Sequence, residues 1–186
     1  MIKITYPEML LAISVLWIAV RAFFAVKNKK FEIKRELQLI LVYVCLIVIA
    51  RFTFFPLRKV DGVIQPLVFD AANAFPFRIN LIPLVNLFDY EIMSEAIINF
   101  VGNTTMFIPV GIIWPIVFKE LDTPLRTIAA GAGFSLLIEI LQLPFFDRVS
   151  DIDDLLLNTL GFAAGYGIYR LAKLLKVKRR QNETSF

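Results

Sequence analysis

The chain has 186 residues, of which 58% are hydrophobic, with a mean hydropathy of +0.71 and a formal net charge of +4. Soluble domains use about 45–50% apolar residues, so the composition excludes an ordinary soluble fold and predicts an integral membrane protein, one polytopic domain over 1–186. There is no histidine, which removes the usual zinc ligand, the commonest general base and any phosphohistidine intermediate, and leaves carboxylates for any chemistry. Cys45 is the single cysteine; it lies in an apolar run and reads as a small packing residue. The basic residues cluster beside apolar segments, so the positive charge reads as membrane topology and no nucleic-acid partner is expected.

Residues 7–26 are apolar enough to span a bilayer, and no small-residue cleavage pattern follows them, which predicts a retained first helix. A basic loop with Lys27, Lys29, Lys30, Lys34 and Arg35 precedes a second span at about 37–55, which carries Arg51 in its last turns and ends at Pro56. From 57 to about 96 the chain is too proline-broken for a spanning helix and too apolar for a solvated loop. It is expected to re-enter the membrane or lie at the outer interface, with Arg78 and Asn80 among aromatics in an interfacial layer. A third span follows at about 97–118, with Pro109 and Pro115 expected to kink it, and a fourth at about 125–145. The run Ala129, Ala130, Gly131, Ala132 and Gly133 would let the fourth helix pack closely. The fifth span is expected at about 154–175, with Gly161, Gly165 and Gly167 at small-residue spacing, before a basic, frayed tail. The predicted fold is therefore an all-α membrane protein, a compact bundle of about five transmembrane helices with an outer segment between the second and third.

With five spans, the basic groups at 27–35 and 170–180 fall on one side, which positive-inside bias makes cytoplasmic; the amino terminus is then outside and the carboxyl terminus inside. Each isolated polar residue then lies in the outward half of its helix. Asn99 and Asn103 share a face at i and i+4, and Glu139 and Gln142 share one at i and i+3, with Glu139 about 10 Å below the outer end. Between the fourth and fifth spans, Arg148, Asp151, Asp153, Asp154 and Asn158 form the densest polar stretch. Asp151, Asp154 and Asn158 would align on one face if the fifth helix starts early.

Each of these residues also has a structural reading. Arg51 would snorkel to headgroups or pair with Glu139 or an aspartate. The two asparagines at 99 and 103 serve equally as interhelical glue or as site lining. Helix capping accounts for one or two of the aspartates at 151, 153 and 154, but not for all three beside Arg148. Glu139, a carboxylate at depth, needs a partner, a proton or a cavity.

Several motifs together carry a resemblance: Asn80, Leu81, Ile82 and Pro83; Asn99, Gly102 and Asn103 with Phe107, Pro109 and Gly111; Glu139 and Gln142; then Arg148, Asp151, Asp153, Asp154, Asn158 and Gly161. In this order and spacing, over about residues 45–167, the chain resembles the VanZ-like family. The resemblance implies a small multi-spanning bacterial membrane protein, related to one associated with low-level teicoplanin resistance, without a settled activity. Arg51, Arg78 and Arg148 would suit phosphate or carboxylate recognition, oriented by Asn80, Asn103, Glu139 and the aspartates. The expected partners are membrane lipids and a lipid-linked cell-wall precursor or glycopeptide antibiotic, with no cofactor. Two alternatives stay open: a divalent-metal-dependent enzyme acting on a lipid phosphate through the aspartates and Glu139, and an ion-coupled transporter using Glu139. The polar groups do not continue into the inner helix halves, which gives a transport path little support.

Overall fold

The computed structural model describes residues 1–28, 32–55, 60–70, 75–83 and 93–183. Among the described residues five long helices form: α1 (Tyr6–Asn28), α2 (Ile33–Phe54), α3 (Met93–Val117), α4 (Pro124–Gln142) and α5 (Ile152–Glu183). Among the described residues, four of these are long and apolar enough to cross a membrane, over Tyr6–Lys27, Ile33–Phe54, Ile97–Val117 and Pro124–Gln142. Helix α5 is the longest but carries Asp153, Asp154 and Asn158 in its first turns and a run of lysine and arginine in its last.

Four short strands were not foreseen: β1 (Ile2–Ile4), β2 (Leu67–Phe69), β3 (Ile79–Asn80) and β4 (Ser150–Asp151). Strand β1 pairs antiparallel with β2, Ile2 opposite Phe69 and Ile4 opposite Leu67, while β3 runs parallel to β4 with Asn80 opposite Asp151. Parts of the segment expected to re-enter or lie at the interface, 71–74 and 84–92, lie outside the described residues, as do 56–59. What is described of it is organised by these two ladders.

The chain divides into two units. The first, residues 1–83 with 136–152, contains α1, α2, the four strands and the last turns of α4. Helix α1 begins where Glu8 Oε2 accepts the Thr5 N–H at 2.7 Å and the Thr5 hydroxyl at 2.8 Å, half of a capping box. It is tied to α2 by the Arg21–Glu36 ion pair and by Ser14 Oγ with Tyr43 Oη at 2.7 Å. Apolar burial concentrates on α2 and just beyond it, at Leu39, Val42, Ile49, Phe54 and Phe55, with Leu67 of β2. The Phe55 ring packs edge-on to Tyr6 at 5.5 Å, and Phe54 to Phe145 at 6.2 Å.

The second unit, residues 84–135 with 153–186, contains α3, the first turns of α4 and nearly all of α5. Phe107 and Phe162 are fully buried, their rings 5.9 Å apart, with Trp114 stacked edge-on to Phe162 at 5.1 Å. Glycine permits this packing. A Cβ on Gly161 would run into the Thr104 carbonyl oxygen, one on Gly165 into that of Ile108, and one on Gly111 into that of Phe162. The backbones of α3 and α5 therefore touch, the close approach that small residues allow between membrane helices. Gly131 lets the Phe162 ring lie on α4, whereas Gly133 and Gly167 face open space among the described residues.

Two helix ends differ from the sequence reading. Helix α4 stops at Gln142 rather than near 145, because Pro144 disfavours helical backbone in the residue before it. The tail expected to fray instead stays helical to Glu183; lysine, arginine and glutamine are good helix formers, and Arg179 pairs with Glu183 at 2.9 Å.

Candidate functional site

The twelve sequence-predicted site residues fall into two polar groups, one in each unit. In the first unit the organising contact is made by the buried Glu139, which accepts the Asp151 backbone N–H on Oε2 at 3.0 Å. Helix α5 begins at Ile152, two residues ahead of the expected start, so Asp154 and Asn158 are helical while Asp151 stays in β4 just before it. Across the β3–β4 ladder Asn80 Nδ2 donates to Asp151 Oδ1 at 3.1 Å, and Asn80 Oδ1 accepts the Ile82 N–H at 3.1 Å, an Asx turn that bends the chain toward Pro83. The Arg78 carbonyl accepts the Ser150 N–H at 3.0 Å, while the exposed Arg78 guanidinium stands 4.4 Å over the Phe146 ring. The ladder thus holds the exposed Arg78 two residues ahead of Asn80, which bonds the half-buried Asp151 carboxylate.

Three other candidates of this unit converge on the end of α2. Gln142 Nε2 donates to the Thr53 carbonyl at 2.6 Å, Arg148 Nη2 to that of Phe54 at 2.5 Å and Arg51 Nη1 to that of Phe55 at 3.3 Å. The last carbonyls of a helix have no intrahelical donor and carry the negative end of its dipole. Two guanidiniums and an amide satisfy them here. The Arg51 guanidinium also lies over the rings of Phe52 and Tyr6 at 5.5 and 5.7 Å.

In the second unit, Asn103 Nδ2 donates to Asn99 Oδ1 at 2.8 Å and to Asp154 Oδ1 at 2.5 Å, joining α3 to the first turn of α5. Asp153 is buried in the same turn, where the helix dipole favours acids. One turn further, the fully buried Asn158 donates through Nδ2 to Ser135 Oγ of α4 at 2.9 Å. Ser135 escaped the sequence reading, although Ser135, Glu139 and Gln142 sit at i, i+4 and i+7 of one helix, a spacing that marks a shared face. Among the described residues no group of three or more acidic, histidine or cysteine side chains is placed to hold a metal ion.

A further polar contact was also missed. Asp122, in the turn between α3 and α4, accepts from Lys173 Nζ at 2.5 Å and from the Tyr169 hydroxyl at 3.0 Å, both on α5. Burial alone would raise the Asp122 carboxyl, but these two donors together hold it below the usual aspartate range. Its distance in sequence from α5 left no local signal.

Among the described residues, four helices long and apolar enough to cross a membrane define a multi-pass helical membrane protein. The chain belongs to the VanZ/LLP1 family, whose model matches residues 40–173, a range that takes in all twelve candidate residues and leaves out α1. No curated protein and no solved structure matches the chain.

Proposed function

We propose that this VanZ-family protein acts in a bacterial cell membrane, without enzymatic turnover, by binding a lipid-linked envelope component or a glycopeptide antibiotic of the teicoplanin type at its outer face. Such binding would contribute to glycopeptide resistance or to envelope homeostasis. The observation that carries the reading is the β3–β4 ladder, where the exposed Arg78 guanidinium lies two residues from Asn80, itself bonded to Asp151. A guanidinium held over an aromatic ring retains its fork of donors for phosphate or carboxylate, and a rigid ladder reduces the ordering cost of binding. Glu139 supports this arrangement from beneath by fixing β4. With α5 as a fifth crossing, the basic groups at 27–35 and 170–180 share the cytoplasmic side, and the amino terminus and the ladder face outward.

The test is a titration of the purified, detergent-solubilised protein with a lipid-linked wall precursor and with teicoplanin, each with and without Mg²⁺. Saturable binding with no product supports the reading. Mg²⁺-dependent cleavage or transfer would replace it with an enzyme, and absence of binding to both compounds would overturn it.

A further inference from the structure

The Asp122 contact fixes how far α5 extends. The turn that holds Asp122 closes the ends of α3 and α4, so Lys173, bonded to Asp122, is level with the ends of both helices within this unit. Helix α5 then continues through residues 174–183, which at 1.5 Å per residue carries it about 15 Å past that level. Every residue of this overhang is exposed, including Leu174, Leu175 and Val177 at 50–61%.

Its charge is one-sided. From 170 to 183 the helix carries Arg170, Lys173, Lys176, Lys178, Arg179 and Arg180 against the single acid Glu183. Lys173, Lys176 and Arg180, at i, i+3 and i+7, share a face, while Lys178 falls among Leu171, Leu174 and Leu175 on the opposite one. At the neighbouring turn Lys119 and Arg126 are balanced by Glu120 and Asp122, so the positive charge belongs to α5 itself. The headgroup layer on each side of a bilayer is about 5–8 Å deep, so the first turns of the overhang stand at the depth of lipid phosphates.

We propose that this basic overhang of α5 docks on anionic phospholipid headgroups of the adjoining leaflet. Charge complementarity selects the occupant, since a lysine and arginine array on an amphipathic helix at a bilayer surface attracts acidic lipid. The proposal rests on the chain spanning a membrane and is independent of any ligand at the β3–β4 ladder. Acidic lipid would hold the end of α5, and through Lys173 the α3–α4 turn, against the membrane.

Hydrogen exchange of the full chain tests this in vesicles of phosphatidylcholine alone and of phosphatidylcholine mixed with phosphatidylglycerol. The amides of 174–183 should exchange more slowly in the mixed vesicles, and high salt should abolish the difference. Combining Lys176→Gln, Lys178→Gln and Arg180→Gln, which leaves the Arg179–Glu183 pair intact, should weaken the apparent affinity of the overhang for phosphatidylglycerol on the order of 100-fold, about five-fold for each cation removed. Exchange at 157–166, in the glycine seam, should stay unchanged in that variant. If the seam loosens, the salt response of the parent chain decides. Equal exchange of 174–183 in both lipid mixtures would overturn the proposal, as would protection that arises only on adding RNA or an acidic protein.

Discussion

The candidate residues of the two units mostly find different kinds of partner. In the first, the side chains serve the backbone: Gln142, Arg148 and Arg51 satisfy the last carbonyls of α2, and Glu139 holds the N–H of a strand residue. In the second, side chain meets side chain: Asn103 meets Asn99 on its own helix and Asp154 across the α3–α5 seam, where the backbones touch at Gly111, Gly161 and Gly165, and Asn158 meets Ser135 of α4. Residue type therefore does not separate function from support. An arginine or a glutamate in this membrane protein is explained first by the orphan backbone group it completes, and the candidates that remain for ligand are those whose charged ends face outward from a fixed backbone, Arg78 foremost.

The largest effect should come from the seam of the second unit. Gly165→Leu forces a side chain into the Ile108 carbonyl and the Gly111 backbone and should cost about 3 kcal/mol or more, read as a steep loss of the folded fraction in detergent unfolding. Next comes Glu139 in the first unit. Glu139→Leu removes the acceptor of the Asp151 N–H and should cost about 2 kcal/mol, whereas Glu139→Gln keeps an acceptor and should cost well under half of that. Equal costs would mean that the charge, not the hydrogen bond, holds β4. Ser135→Ala should cost about 1 kcal/mol by leaving the buried Asn158 amide without its hydroxyl partner; no change would reduce this pair to incidental contact. The smallest effect is the pH response of the Asp122 turn. Its carboxyl titrates below the ordinary 3.8, so its contribution to stability is complete above that value and is lost as pH falls through the lowered folded value. Asp122→Asn should remove that part of the acid response in a melting series taken downward from neutral pH.

Helices were the legible part of the sequence, because a run of apolar residues long enough to cross a bilayer has few other fates. The strands were not legible: β1 and β2 are three residues each and lie more than sixty positions apart, too short for any alternation to register. At the candidate site, the local pairing of Asn99 with Asn103 followed from helical spacing. The ends served by Arg51, Gln142 and Arg148 did not, since their acceptors are carbonyls of Thr53, Phe54 and Phe55 that leave no mark on residue identity. Asp151 lies one residue ahead of α5, in a two-residue strand too short to leave a pattern in the sequence. The basic tail, expected to fray, is kept ordered by its helix-forming residues and the Arg179–Glu183 pair.

The division between supporting and ligand-facing cations is tested most directly by measuring thermal stability and affinity for a lipid-linked wall precursor on the same preparations of Arg148→Met and Arg78→Met. Methionine keeps a stem of comparable length and removes the donors. Arg148→Met should lower stability by about 2 kcal/mol through the unsatisfied Phe54 carbonyl. Arg78→Met, at an exposed position, should leave stability within about 0.5 kcal/mol and weaken binding about ten-fold or more. Arg78→Met that binds like the parent chain, with Arg148→Met stable yet unable to bind, would reverse the assignment and contradict the account.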